Sequence, residues 1–110
     1  MQVDLVASKS GTTFVVDCKH WKRTVGSGTM LRVAKKQALR ARRMASQGLF
    51  QRIVPIVVTW RDEAVFVLDN GVPIVPIHRL ADFVLNWEHT ESSILVLESE
   101  LHQSLLQGSG

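Results

Sequence analysis

A chain of 110 residues with 45% hydrophobic content can bury one modest core but not two, so a single domain over residues 1–107 is expected, with Gly108-Ser109-Gly110 as a linker-like tail. No apolar run approaches the ~20 residues that span a bilayer, no charged segment leads into a hydrophobic signal core, and the single cysteine excludes an internal disulfide, so a cytoplasmic protein with no membrane partner is expected. The net charge of +3 is unevenly spread: ten of the thirteen Lys and Arg lie from Lys19 to Arg52, and no Asp or Glu falls between Cys18 and Arg61.

In chain order, residues 3–7 (Val-Asp-Leu-Val-Ala) read as a short apolar strand, and residues 13–18 as a second. The link over 8–12 is polar, short and contains Gly11, which predicts an antiparallel hairpin. A side-chain period of two puts Val15, Asp17 and Lys19 on one face and Phe14, Val16 and Cys18 on the other. Cys18 is then a small core residue rather than a nucleophile. Pairing of the strands is expected to set Asp4 beside Asp17. Two close carboxylates repel, and a hard divalent cation with oxygen ligands and retained waters relieves that repulsion. Such an ion polarises a phosphodiester and generates hydroxide from bound water, while the Lys19 ammonium offsets charge that develops on the phosphate. The plainer alternative is an Asp17–Lys19 pair at an ordinary strand end.

His20 and Trp21 follow at the strand's end, where Trp21 either stacks on a base or simply packs. The segment 24–29 is Gly-bearing and leads into a helix; it lacks the spacing of a phosphate-binding P-loop, and Ser27 or Thr29 serves as an ordinary N-cap. Residues 29–47 predict that helix, with Leu31, Ala34, Ala38, Ala41 and Ala45 on the buried side and Gly48 as the stop. Arg32, Lys35, Lys36, Arg40, Arg42 and Arg43 crowd its other faces. Like charges at that spacing repel unless a polyanion is present, which points to a DNA backbone contacted through its phosphates. Solvation of an exposed face is the alternative.

The order of these elements resembles the PD-(D/E)xK restriction-endonuclease-like superfamily, with Asp4 as the first acidic position and Asp17-Cys18-Lys19 as the acidic-x-Lys motif. More narrowly, residues 3–7, then 14–21, then Val25-Gly26, are similar to the Mrr-like restriction endonucleases and the nuclease-related domain. The resemblance spans roughly residues 3–60. It implies an Mg2+- or Mn2+-dependent deoxyribonuclease in which Asp4, Asp17 and the Cys18 carbonyl hold the ion. Lys19 takes the base-like role, and Gln37 on the following helix is an auxiliary catalytic residue. Lys22 and Arg23 join Arg32, Lys35, Lys36, Arg40 and Arg43 as expected DNA contacts. The helix that usually precedes the first acidic strand of that core has no counterpart before Val3, and a segment bearing Glu91, Glu98 and Glu100 is one candidate to fill the slot it leaves.

The second half reads as scaffold. Residues 53–60 form a near-continuous β-branched run, a strand covered on both faces with Pro55 at its start or at an irregularity. Asp69-Asn70-Gly71 between 64–68 and 72–77 predicts a hairpin whose second arm, bearing Pro73 and Pro76, lies at a sheet edge. Leu80, Phe83, Val84 and Trp87 mark a helical stripe, and 93–107 is expected to be a last helix, with strand at 94–97 as the alternative and a homodimer contact as a further use. His78, His89 and His102 stand apart, with no zinc pattern. The whole is an α/β domain with a central mixed β-sheet flanked by helices. The expected function is a metal-dependent DNA endonuclease of restriction or repair type; a noncatalytic nucleic-acid-binding module of the same fold, or an oligomerisation domain, are the alternatives.

Overall fold

The computed structural model describes residues 3–21, 25–48, 50–60, 65–90 and 93–98. Strand β1 (Val3–Lys9) and strand β2 (Thr12–Lys19) form the expected hairpin. Ser10 and Gly11 both have positive φ, 52° and 81°, the backbone of a two-residue turn whose twist matches that of its strands. A two-residue turn leaves no freedom in register: once Lys9 pairs with Thr12, Asp4 must pair with Asp17, and it does.

Helix α1 (Ser27–Ser46) then crosses to strand β3 (Arg52–Thr59), which runs parallel to β2 along its full length. Ala34, Ala38, Ala41 and Ala45 form the buried stripe, as expected, whereas Leu31, expected with them, is half-buried; the small side chains let the helix axis approach the sheet closely. Gln37 joins that stripe, 1% exposed, and not the helix edge where a polar residue is expected.

Pro55 lies mid-strand, opposite Val15, not at the start of β3. On its other edge, among the described residues, β3 is paired at Arg52–Ile53 by β6 (Leu97–Glu98) and at residues 57–59 by β5 (Pro73–Pro76), so the proline falls in a gap between these partners. Strand β5 is itself interior, in the order β1-β2-β3-β5-β4, with β4 (Phe66–Val67) as the edge. The edge position expected from its two prolines is therefore corrected: they occupy the ends of β5, where ladder bonds are dispensable. The β4–β5 turn closes through Gly71 N–H to the Leu68 carbonyl at 2.8 Å, and Gly71 sits at φ 87°. A Cβ there would stand 2.9 Å from the Leu95 backbone nitrogen, so Gly71→Ala is expected to cost about 1–3 kcal/mol, read as a lower urea midpoint.

The sheet's other face carries Phe14, Val16, Cys18, Val54, Ile56 and Val58, which pack against Phe83 of helix α2 (Leu80–Asn86) and against Trp87 in the 3-10 turn that extends it. Trp87 meets Phe14 edge-to-face at 6.1 Å. The expected last helix is corrected over its described part: residues 94–96 are irregular and Leu97–Glu98 is strand, because pairing with Ile53 and Arg52 on β3 satisfies backbone groups that one apolar stripe would not. Residues 99–107 of that expectation lie outside the described residues. The result is a three-layer α/β arrangement, with α1 on one face of a mixed sheet and α2 on the other. No described helix is long and apolar enough to cross a membrane.

Candidate functional site

Three constraints fix the position of Asp17. Val15, two residues before it, packs with Ala41 and Ala45 of α1, so alternation places Asp17 and Lys19 on that same helix-facing side. The parallel register sets Asp17 beside Val57, and Lys19 beside Thr59, at the carboxyl ends of β2 and β3. Ligands of open α/β sheets bind beyond this rim. The hairpin sets Asp4 on the opposite flank, where directly paired Cα atoms lie about 4.5–5.5 Å apart.

The environment of the Asp17 carboxylate is unusual for a structural residue. It is 3% exposed, and its Oδ1 has no hydrogen-bond partner among the described residues. Its Oδ2 lies 3.6 Å from the Lys19 ammonium, an ion pair too long for the charge-assisted hydrogen bond at about 2.7–2.9 Å that such a pair makes when it closes. An orphaned carboxylate oxygen costs at least about 1–3 kcal/mol of lost hydration, and a cation bound against it recovers that loss. Among the described residues no three His, Cys, Asp or Glu side chains gather as a ready-made metal cage. Of the three ligands that the resemblance implies, the Asp17 carboxylate is the one whose surroundings are described at the side chain; Asp4 is placed by its backbone pairing with Asp17. The Cys18 thiol packs into the α2-side core, and its main chain is paired on both sides, with Val3 of β1 and Val58 of β3.

Gln37 approaches this strand from above. Its Nε2 donates to the Val15 carbonyl at 2.6 Å and to the Ile56 carbonyl at 3.0 Å, which pins α1 across the β2–β3 seam two residues before Asp17. Its Oε1 accepts from Arg40 Nη1 at 3.3 Å. Both amide protons are thus committed to the main chain of β2 and β3. Arg40 leans to the same side of the helix, half-buried.

Arg32, Lys35, Lys36, Arg42 and Arg43 are exposed on the flank and far side of the helix from the alanine stripe, and no carboxylate pairs with any of them among the described residues. From Arg32 to Arg43 this cationic stripe runs about 16 Å at ~1.5 Å per residue. Lys22 and Arg23 lie outside the described residues, as do Glu91 and Glu100. Glu98 pairs with Arg52 at the far end of β3, roughly 16 Å along the strand from Val57 at ~3.3 Å per residue, so it does not fill the slot of a missing acidic residue.

One element of this rim is not apparent from the sequence. His20 and Trp60 directly follow the paired Lys19 and Thr59, and their rings stack at 4.9 Å between centroids and 21° between planes. Forty residues separate them in the chain, and only the parallel register of β2 and β3 brings them together. No protein-family model matches this chain, and comparisons with curated proteins and with solved structures return no match.

Proposed function

We propose that this chain is a metal-dependent DNA endonuclease domain of restriction-endonuclease-like fold that hydrolyses phosphodiester bonds. The observation that carries the reading is the buried Asp17 carboxylate with one oxygen unpartnered among the described residues, set opposite Asp4 and next to Lys19 beneath a cationic helix. Asp17, Asp4 and the Cys18 carbonyl would hold Mg2+ or Mn2+. When bound, the ion supplies Lewis-acid polarisation of the phosphate and a water of lowered pKa. Lys19, 3.6 Å from Asp17 Oδ2, would balance the negative charge that builds on the phosphoryl oxygens. The stripe on α1 seats the sugar–phosphate backbone, and Gln37 holds the strand segment that presents Asp17.

Two assays bear on this directly. Purified protein is expected to nick or cut DNA with Mg2+ or Mn2+ and to stop on chelation; no cutting of any DNA form with either ion would refute the assignment. Replacing Arg32, Lys35, Lys36 and Arg43 together by Gln is expected to flatten the dependence of log Kd on log salt by up to ~0.9 for each duplex phosphate that the variant no longer neutralises. An unchanged slope would show that the stripe is solvation alone.

A noncatalytic nucleic-acid-binding module is the second reading, favoured by the pairing of Asp17 with Lys19 and by the commitment of the Gln37 amide to the main chain. Metal titration separates the two: binding of Mn2+ that Asp4→Ala and Asp17→Ala abolish belongs to the enzyme, whereas DNA affinity indifferent to metal belongs to the module.

A further inference from the structure

Of the three tryptophans, Trp87 is 1% exposed and seals the core, and Trp21 is half-buried. Trp60 is 54% exposed, although residues 53–59 immediately before it are all buried. One of its faces is covered by the exposed His20 ring, which holds the indole in a defined plane. An aromatic ring braced on one side and open on the other, at the rim where a strand bearing a buried carboxylate and an ammonium ends, is placed to stack with a further planar group. Lys19, which directly precedes His20 and is itself part-exposed, sets the charge of the ligand that brings that group: it is anionic, with planar rings along it.

We propose that the Trp60–His20 pair is a stacking platform for an unpaired nucleobase, and that the chain therefore engages single-stranded or locally opened DNA at this rim. This rests on the nucleic-acid reading above and narrows its substrate. A duplex offers the platform nothing, since each of its bases is already stacked on both faces; a base gains from the indole only when its own neighbour has left. His20 is three residues beyond Asp17, about 10 Å along the strand at ~3.3 Å per residue, so a base seated on Trp60 belongs to a nucleotide next to, not at, the bond beside Asp17. The rings lie just past the last residues of β2 and β3, whereas Asp17 is buried within β2, so a nucleic-acid strand reaching both must turn over the sheet rim. A flexible single strand makes that turn and a stiff duplex does not.

The test compares a fluorescently labelled oligothymidylate with a duplex of equal length, without divalent metal so that nothing is cut. Trp60→Ala is expected to weaken single-strand binding about 5- to 100-fold and to leave duplex binding within about twofold, while Trp60→Phe retains most of the single-strand affinity. Circular dichroism and the melting temperature confirm that each variant is folded, which the exposure of Trp60 favours. Single-strand affinity unchanged in Trp60→Ala, or reduced equally for both DNA forms, overturns the platform. That result leaves the endonuclease reading standing, because metal-dependent cleavage is scored separately. Conversely, a Trp60-dependent preference for single strands in a protein that cuts nothing with Mg2+ or Mn2+ supports the platform and overturns the enzyme.

Discussion

Asp17→Asn is expected to lower Mg2+- or Mn2+-dependent DNA cleavage by ~10³-fold or more while DNA affinity in the absence of metal changes little. The substitution keeps the size of the side chain and removes the charge that a divalent ion needs. A second readout does not depend on turnover. Because the parent buries a carboxylate with one oxygen unpartnered among the described residues and the other only loosely paired to Lys19, the metal-free Asn variant is expected to melt no lower than the parent. Adding Mn2+ is expected to raise the melting temperature of the parent, by an amount equivalent to about 2.7 kcal/mol at a hundredfold excess over Kd, and to leave the variant unmoved. Equal Mn2+ shifts in both proteins, or parental cleavage by the variant, would remove Asp17 from the site.

Gln37→Leu is expected to destabilise the fold by about 2–3 kcal/mol, seen as a lower urea midpoint at constant slope. The leucine is of similar bulk, so the loss isolates the two bonds to Val15 and Ile56 from the cost of a cavity. Gln37→Glu is expected to fare worse, since a carboxylate has no proton to offer the two carbonyl oxygens, and Arg40 reaches only the oxygen on the other side of the group. Measured well below its melting point, the Leu variant is expected to lose kcat and keep its DNA affinity, because a loosened β2 misplaces Asp17 without touching the cationic stripe. A variant as stable as the parent would show the seam is held by packing alone.

Much of the first half was legible because local rules suffice there. A short polar link containing Gly11 between two apolar strands dictates a hairpin; the strands extend into the expected link over 8–12 and leave a two-residue turn at Ser10 and Gly11, whose positive φ fixes Asp4 opposite Asp17. The alanine stripe and the run of cations on α1 follow from helical periodicity, and so does their separation onto different faces. Local rules failed where a distant strand decided the outcome. The prolines of β5 looked like edge markers, yet their placement at the strand ends let it lie between β3 and β4. The apolar segment 94–97 has a helix-compatible pattern, but an open stretch of the β3 edge drew Leu97–Glu98 into the sheet.

For the candidate site the division runs along the same line. The amino-acid order by itself determined which residues share the helix-facing side of β2 and that a cationic helix follows them, because strand and helix periods act over a few residues. Only the tertiary structure decided that Asp17 is buried with an oxygen unpartnered among the described residues, that Gln37 commits its amide to two strands, and that Trp60 lies against His20. Each of these depends on the parallel pairing of β2 with β3 and the docking of α1 across them, where segments far apart in the chain meet in a geometry that no local pattern encodes.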